Sequence, residues 1–228
     1  MPRMNPKPTA WRDRLITVAV IWAPWALVST FIVQPFKIPS GSMENTLGVG
    51  DRIVVEKWSQ DVRRGDVVVF SDDLHWEGAD ASSTGWRKTV RDAAAFARIA
   101  ASGDHLVKRV VGLPGDVVSC SGPDAKLTVN GVAVDEPYLR AGLAGCTPAA
   151  GQASRWRITV PAGHMWVMGD HRDDSADSRS HDDDTGSPGS VPLSAVTGRP
   201  IAVAWPLGSI SGGHDDETAF AKVPAPTT

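Results

Sequence analysis

Two serines stand one residue apart in a turn-forming stretch near the N-terminus, PSGSMENTL (39–47). Its proline and glycine predict a tight turn in which Ser40 and Ser42 lie close to backbone N–H groups. A serine hydroxyl attacks a carbonyl only when a base accepts its proton and donors stabilise the developing oxyanion. Two serines beside a glycine more often form an ordinary turn, so a nucleophile here requires a base from elsewhere in the chain.

A candidate base is Lys108, which lies in the apolar stretch HLVKRVVGLPGD (105–116). On a strand, Lys108 shares one face with Leu106 and Val110, while Arg109 points to the other side, so we expect the lysine to be buried. Burial disfavours the ammonium form, and lowering the lysine pKa from about 10.4 to roughly 7 to 8 would give a usable base. The alternative is a lysine at a sheet edge whose ammonium extends into water.

A third stretch, GDHRDDSADSR (169–179), is too densely charged for a strand and predicts a loop held by its own ion pairs. A calcium loop is the main alternative, but these acids do not follow the spacing of such loops and lack the closing glutamate. A solvated acidic loop without a role is another. The two cysteines show no C-x-x-C spacing, which argues against a thiolate zinc site. We expect no metal or cofactor.

The elements that must position these residues are mostly strands. The chain is 42% apolar and contains 22 Gly and 17 Pro, which favours a turn-rich, mainly β domain. Asn130-Gly131 between alternating apolar residues predicts a type I′ hairpin. RRGDVVVF, from Arg63, indicates a structural strand. The strand-like runs cover 51–58, 65–70, 105–113, 126–134, 155–160 and 164–170.

An uncharged apolar run over 15–33 precedes the strands. As a helix it would be roughly 28 Å long, close to the hydrocarbon thickness of a bilayer. Basic residues dominate residues 1–14, so the positive-inside rule places this N-terminus in the cytoplasm and the chain from residue 34 outside. The alternatives are a cleaved signal peptide, which usually has a shorter apolar region, and a buried core helix, which usually shows a polar stripe.

Residues 34–212 form the expected outer domain, interrupted by an alanine-rich segment, 84–101, that predicts a helix. This helix either packs on the sheet or rests with its basic face on anionic lipid. The polar tail, 213–228, is expected to be disordered. A net charge of -3 argues against a nucleic-acid partner. Cys120 and Cys146 bracket a predicted hairpin, and the sequence leaves open whether they form a disulfide.

Taken together and in this order, PSGSM, RGDVVVF, VKRVVGLPGD and GDHRDDSADSR behind an apolar segment resemble bacterial type I signal peptidases, peptidase family S26. The spacing around Cys120 is similar to that of actinobacterial members. The resemblance implies an antiparallel β catalytic domain behind one transmembrane helix. It also implies that Ser42 is the nucleophile, that Lys108 is the general base, and that the Ser40 hydroxyl and the Ser42 N–H form the oxyanion hole.

The acidic loop also matches this family. The resemblance implies that Ser175 hydrogen-bonds the lysine and holds it in place, and that Gly169 leaves space beside the base. Further residues are expected to support the site, namely Arg109, Asp170, Asp177 and Arg179. The family usually has Asn where His171 and Asp174 stand in this chain.

By the same resemblance, the expected substrates are preproteins cut at small-residue sites of the A-x-A type. The expected location is the bacterial plasma membrane, with the catalytic domain on the outer side, beside lipid and in reach of the secretion machinery. Two alternatives remain from the residues alone. A self-cleaving Ser/Lys regulator would use the same chemistry, although no DNA-binding region is evident. A catalytically silent, membrane-tethered β module would need neither Ser42 nor Lys108.

Overall fold

The computed structural model describes residues 10–31, 33–57, 61–72, 76, 105–206 and 216–226. The chain begins with helix α1, Ala10–Phe31, as the apolar run predicts. We find no helix among the described residues whose length and apolarity suffice to cross a membrane. The anchor over 15–33 therefore stays a prediction. The helix expected over 84–101 lies outside the described residues.

Eleven strands in the described ranges form two antiparallel sheets, so the predicted mainly β fold is confirmed. The larger sheet has the order β1-β2-β11-β3-β4-β9-β10, and the smaller has the order β7-β6-β5-β8. The strands are β1 Val33–Lys37, β2 Arg52–Glu56, β3 Val67–Ser71, β4 His105–Gly112, β5 Val117–Ser121, β6 Thr128–Val129, β7 Val132–Ala133, β8 Arg155–Thr159, β9 His164–Met168, β10 Val191–Pro192 and β11 Val196–Trp205.

Seven strands fall in the predicted runs, whereas β1, β5, β10 and β11 lie outside them. Four consecutive residues of β3, from Val67 to Phe70, are buried, which fits a β-branched and aromatic run in the middle of a sheet. Strand β5 alternates between buried and half-buried residues. Asn130 and Gly131 both have positive φ, the backbone that a type I′ hairpin requires between β6 and β7.

The core between the two sheets joins Trp166 and Met168 of the large sheet to the apolar face of the small one. A second cluster lies on one face of the large sheet and includes Met43 and Leu47 from the serine-bearing turn. A disulfide joins Cys120 on β5 to Cys146 in the loop before β8. The serine-bearing turn therefore packs on the large sheet.

The C-terminal segment corrects one expectation. A short 3-10 helix, Glu217–Phe220, is followed by a buried Val223, and both Phe220 and Val223 pack in the core between the sheets. Asn130 Nδ2 donates a hydrogen bond to the carbonyl oxygen of Pro224, 3.0 Å away. The prediction of a disordered tail was wrong for 216–226, because two apolar side chains in a polar stretch suffice to complete this core.

Candidate active site

Strand β4 and the turn after β1 bring Lys108 and Ser42 together. The Lys108 Nζ lies 2.5 Å from the Ser42 Oγ. Only 2% of Lys108 and 8% of Ser42 are exposed. Lys108 lies in the middle of β4, where it pairs with Val68 of β3. The arrangement places an amine within proton-transfer distance of a hydroxyl in a nearly dry environment.

Apolar packing fixes the conformation of the serine turn. Met43 and Leu47 are fully buried. Leu47 N donates a hydrogen bond to the Met43 carbonyl oxygen at 2.8 Å, which closes one helical turn. The Ser40 Oγ lies 3.5 Å from the Ser42 Oγ. A small cleft opens at this point, and its lining residues are Ile38, Pro39, Ser40, Ser42, Met43, His105, Leu106, Val107 and Lys108.

Arg109, the next residue on β4, points away from the cleft into a different buried site. Its guanidinium makes two hydrogen bonds to the Asp170 carboxylate, at 2.8 and 2.7 Å, and one to the Gly65 carbonyl oxygen at 2.6 Å. It also lies 3.8 Å above the ring of Tyr138. Burial alone would lower the pKa of Arg109, but Asp170 outweighs this effect and raises it above the ordinary value.

Asp170 connects this ion pair to the serine turn. Its Oδ2 also accepts a hydrogen bond of 2.5 Å from the Thr46 hydroxyl, four residues beyond Ser42. Because the Arg109–Asp170 pair is completely buried, it can hold the turn rigidly. Thr46 carries no motif that would have identified it from the sequence. Its partner lies 124 residues away, so only the fold shows the contact.

The charged loop over 169–179 is held by its own ion pairs, as the sequence predicts. Asp177 accepts hydrogen bonds from the Arg179 guanidinium at 2.7 Å and from the Gly169 N–H at 3.0 Å. Burial acts to raise the pKa of Asp177, but the neighbouring Arg179 cation outweighs it, so the pKa is lowered. Arg179 also donates to the Thr147 carbonyl oxygen, which ties the loop to the disulfide-bonded segment.

There is no room for a side chain at position 169, which glycine occupies. A Cβ at this position would clash with the side chain of Ser175 and with the carbonyl oxygen of Ser42. Ser175 is buried, and its hydroxyl contributes to the lowered pKa of the Asp177 carboxylate through a hydrogen bond. The hydrogen bond expected from Ser175 to Lys108 stays a prediction, while the lysine amine contacts the Ser42 hydroxyl.

No sequence motif points to Arg172 or Glu136, which form a second buried ion pair behind the loop, at 2.5 Å. Arg172 also donates to the carbonyl oxygen of Gly145, beside the disulfide. Within the described ranges, no group of three or more His, Cys, Asp or Glu side chains is arranged to hold a metal ion.

Comparison with known proteins shows a family whose members resemble this chain. A family model described as signal peptidase, peptidase S26, matches residues 10–205. A probable signal peptidase I of Mycobacterium leprae is 36% identical over 223 residues, covering 86% of this chain and 76% of the relative. A signal peptidase I of Mycobacterium tuberculosis is 35% identical, covering 88% and 74%. One of Pseudomonas fluorescens is also 35% identical, covering 81% and 70%.

Proposed function

The chain belongs to the signal peptidase family, peptidase S26, and on that premise we propose that it cleaves N-terminal signal peptides from preproteins. Ser42 is the proposed nucleophile and Lys108 the proposed general base. The observation that supports this assignment most strongly is the 2.5 Å contact between two buried groups of the required types. A silent binding module would have no need of this contact.

The first step is acylation of Ser42. Moving an ammonium out of water costs free energy, so the burial of Lys108 favours its neutral amine. The neutral Nζ accepts the proton of Ser42 as the Oγ forms a bond to the scissile carbonyl carbon. When the tetrahedral intermediate collapses, the C–N bond breaks and the ammonium of Lys108 returns the proton to the leaving amine. The new N-terminus of the mature protein departs.

The second step releases the signal peptide. Lys108, neutral again, accepts a proton from a water molecule that attacks the acyl carbonyl. When the ester bond to Ser42 breaks, the ammonium of Lys108 returns the proton to the Oγ. The oxyanion formed in both steps requires hydrogen-bond donors. We assign these to the backbone N–H of Ser42 and the hydroxyl of Ser40, whose Oγ lies 3.5 Å from that of Ser42.

The cleft beside the two groups favours small substrate side chains. Its walls include Ile38, Met43 and Leu106, and the cleft is small. An extended peptide that places alanine-sized residues against these walls would present its carbonyl carbon to Ser42. This fits cleavage at A-x-A sites, which close the apolar region of signal peptides.

The apolar segment over 15–33 is the proposed membrane anchor, with the catalytic domain outside the plasma membrane. Ser42 follows Val33 by nine residues, which can span at most about 30 Å. The nucleophile therefore stays near the outer membrane surface, where the cleavage site of a membrane-bound signal peptide emerges. The net basic flank of residues 1–14 supports this orientation.

Several charged or small residues support the site in this proposal. Gly169 keeps the space between Ser42 and Ser175 open. The ion pairs of Arg109 with Asp170 and of Asp177 with Arg179 hold the turn and the loop in position. A Cβ at Gly169 would meet both the Ser175 side chain and the Ser42 carbonyl oxygen, so the Ser175 hydroxyl lies close to the serine turn. We propose that it accepts a hydrogen bond from Lys108 during the cycle.

The test uses the full chain in detergent with a preprotein that carries an A-x-A site. Ser42→Ala and Lys108→Ala should each abolish cleavage, and mass spectrometry of the products locates the cut. Ser187→Ala and Lys126→Ala are matched controls, because both side chains are exposed and should leave the rate unchanged. Thermal melting shows that each variant folds. Cleavage that survives either of the first two substitutions would reject the assignment.

A further inference from the structure

His171 contacts two consecutive carbonyl groups of the serine turn. Its backbone N–H donates to the Ser42 carbonyl oxygen at 3.1 Å. Its side-chain Nδ1 lies 3.2 Å from the Gly41 carbonyl oxygen. The residue is buried, with 7% exposed. No function described above uses this side chain, yet it reaches the peptide group that carries the proposed oxyanion donor.

That peptide group links Gly41 to Ser42. A peptide unit is planar and trans, so its C=O and N–H point in opposite directions. A hydrogen bond that fixes the Gly41 oxygen therefore fixes the direction of the Ser42 N–H. The Gly41 oxygen also accepts from Glu44 N at 2.8 Å, and each bond to it polarises the N–H at the other end.

The contacts of His171 identify which ring nitrogen carries the proton. A carbonyl oxygen can only accept, so Nδ1 must donate to Gly41. The Arg140 Nη1 lies 3.1 Å from Nε2 and can only donate, so Nε2 accepts. These two contacts together favour a proton on Nδ1.

Carboxylates surround the same ring. Asp173 Oδ1 lies 3.3 Å from Nε2, and Glu44 Oε2 and Asp174 Oδ2 lie 3.6 and 4.0 Å from Nδ1. Asp173 favours a proton on Nε2, in competition with Arg140. The doubly protonated ring keeps a proton on Nδ1 and so keeps the hydrogen bond to the Gly41 oxygen. Only the neutral ring with its proton on Nε2 would lose this bond.

We propose that His171 is a positioning residue that directs and polarises the Ser42 amide through its Nδ1–H bond to Gly41, and that Arg140 selects the tautomer that makes this bond. The inference rests on the proposed function, because it concerns the oxyanion hole of that reaction. His171 does not touch the substrate in this account. Its effect appears only where negative charge develops on the substrate oxygen.

The tautomer can be measured without any substrate. In the full chain with 15N-labelled histidine, long-range 1H–15N correlation spectra distinguish a protonated Nδ1 from a protonated Nε2. The chain has six histidines, and a His171→Asn spectrum assigns the signal of interest. We expect Nδ1 to carry the proton at pH 8. A neutral ring with its proton on Nε2 would overturn the proposal, and this result would stand whether or not Ser42 is the nucleophile.

Three substitutions at position 171 separate the hydrogen bond from packing. Asparagine places its amide nitrogen near the site of Nδ1, glutamine places it near Nε2, and leucine has no donor. Losing a complete oxyanion donor costs about 100- to 1,000-fold in kcat, so misdirecting one should cost about 10-fold. We expect His171→Leu and His171→Gln to lose about 10-fold in kcat with little change in KM, and His171→Asn to stay near the wild-type rate.

Arg140 is tested in combination with His171. Arg140→Met should lower kcat about threefold, because Asp173 then draws the proton to Nε2. The same substitution should have no effect in the His171→Asn background, since an amide has no tautomers. If His171→Leu does not fold, the glutamine and asparagine variants and the NMR signal still decide. Equal kcat for the asparagine and glutamine variants, or an Arg140 effect that persists beside asparagine, would refute the proposal.

Discussion

Lys108 and Arg109 are adjacent on strand β4, yet their two basic side chains lie in different surroundings. On one face, Arg109 is bound by both oxygens of Asp170 and covered by Tyr138. On the other face, Lys108 contacts the hydroxyl of Ser42 beside an open cleft. Both are buried, so burial alone does not explain the difference in what they do.

The difference shows how one strand can hold a permanent charge on one face and an amine that is able to lose its proton on the other. A buried guanidinium stays protonated and needs a carboxylate, which Asp170 supplies. A buried amine can lose its proton, which arginine cannot do. Because successive side chains of a strand point to opposite faces, neighbouring residues serve the two purposes without interfering. Asp170 joins the two faces through Thr46 and the serine turn.

The largest predicted effect comes from replacing the proposed general base, Lys108, with an arginine. Lys108→Arg should lower kcat/KM at least about 1,000-fold, because a guanidinium does not accept a proton at neutral pH. Preprotein cleavage under single-turnover conditions measures this loss. Lys108→Met is the control for burial and should be equally inactive but at least as stable as the wild type. Appreciable cleavage by Lys108→Arg would show that no proton transfer to residue 108 is needed.

Breaking the structural pair should instead cost stability. Asp170→Asn leaves a buried guanidinium without its carboxylate, and we expect the free energy of unfolding to fall by about 3 to 5 kcal/mol. Urea titration monitored by tryptophan fluorescence measures it. Lys108→Met is the matched variant for this measurement, because it also removes a buried polar contact of β4, the one between Lys108 and Ser42. A similar loss of stability in both variants would mean that the two faces do not differ as described.

A core residue that does not line the cleft should affect stability alone. Phe220 packs between the two sheets from the C-terminal segment. Phe220→Ala should lower the free energy of unfolding by about 3 kcal/mol, as for other large-to-small core substitutions. Its kcat at a temperature where it is folded should match that of the wild type. Unchanged stability would show that the segment over 216–226 does not pack in solution as it does here.

A smaller effect concerns the pH dependence of the charged loop. The pKa of Asp177 is lowered in the folded protein, so its ion pair stabilises the fold above the unfolded pKa of about 3.9, and this contribution disappears as the pH falls through the folded value. Asp177→Asn should therefore be less stable than the wild type at pH 7, with a difference that shrinks toward pH 3. Urea midpoints at both pH values check this. A difference independent of pH would contradict the lowered pKa.

Much of this arrangement follows from local sequence. Alternation predicts β4 and places Lys108 and Arg109 on opposite faces, and Asn130-Gly131 predicts the hairpin. The order of the four motifs identifies the family and brings Ser42 and Lys108 into one hypothesis. These features depend on short-range patterns, which the sequence displays directly.

Other features depend on contacts that no local pattern encodes. The links from Thr46 to Asp170 and from Arg140 to His171 join distant segments, and each requires the finished fold. The sequence predicts a disordered tail because its polar residues outnumber the two apolar residues that reach the core. The hydrogen bond expected from Ser175 to Lys108 comes from the family resemblance and stays a prediction, while the Lys108 amine contacts Ser42.

The protonation state of Lys108 tests the central claim most directly. With 13C-labelled lysine, the chemical shift of Cε reports whether the amine is charged, and comparison with Lys108→Arg assigns the signal. We predict that this amine titrates with a midpoint of about 7 to 8, as a general base requires, while exposed lysines titrate near about 10.4. A Lys108 that stays charged up to the midpoint of the exposed lysines would contradict the account.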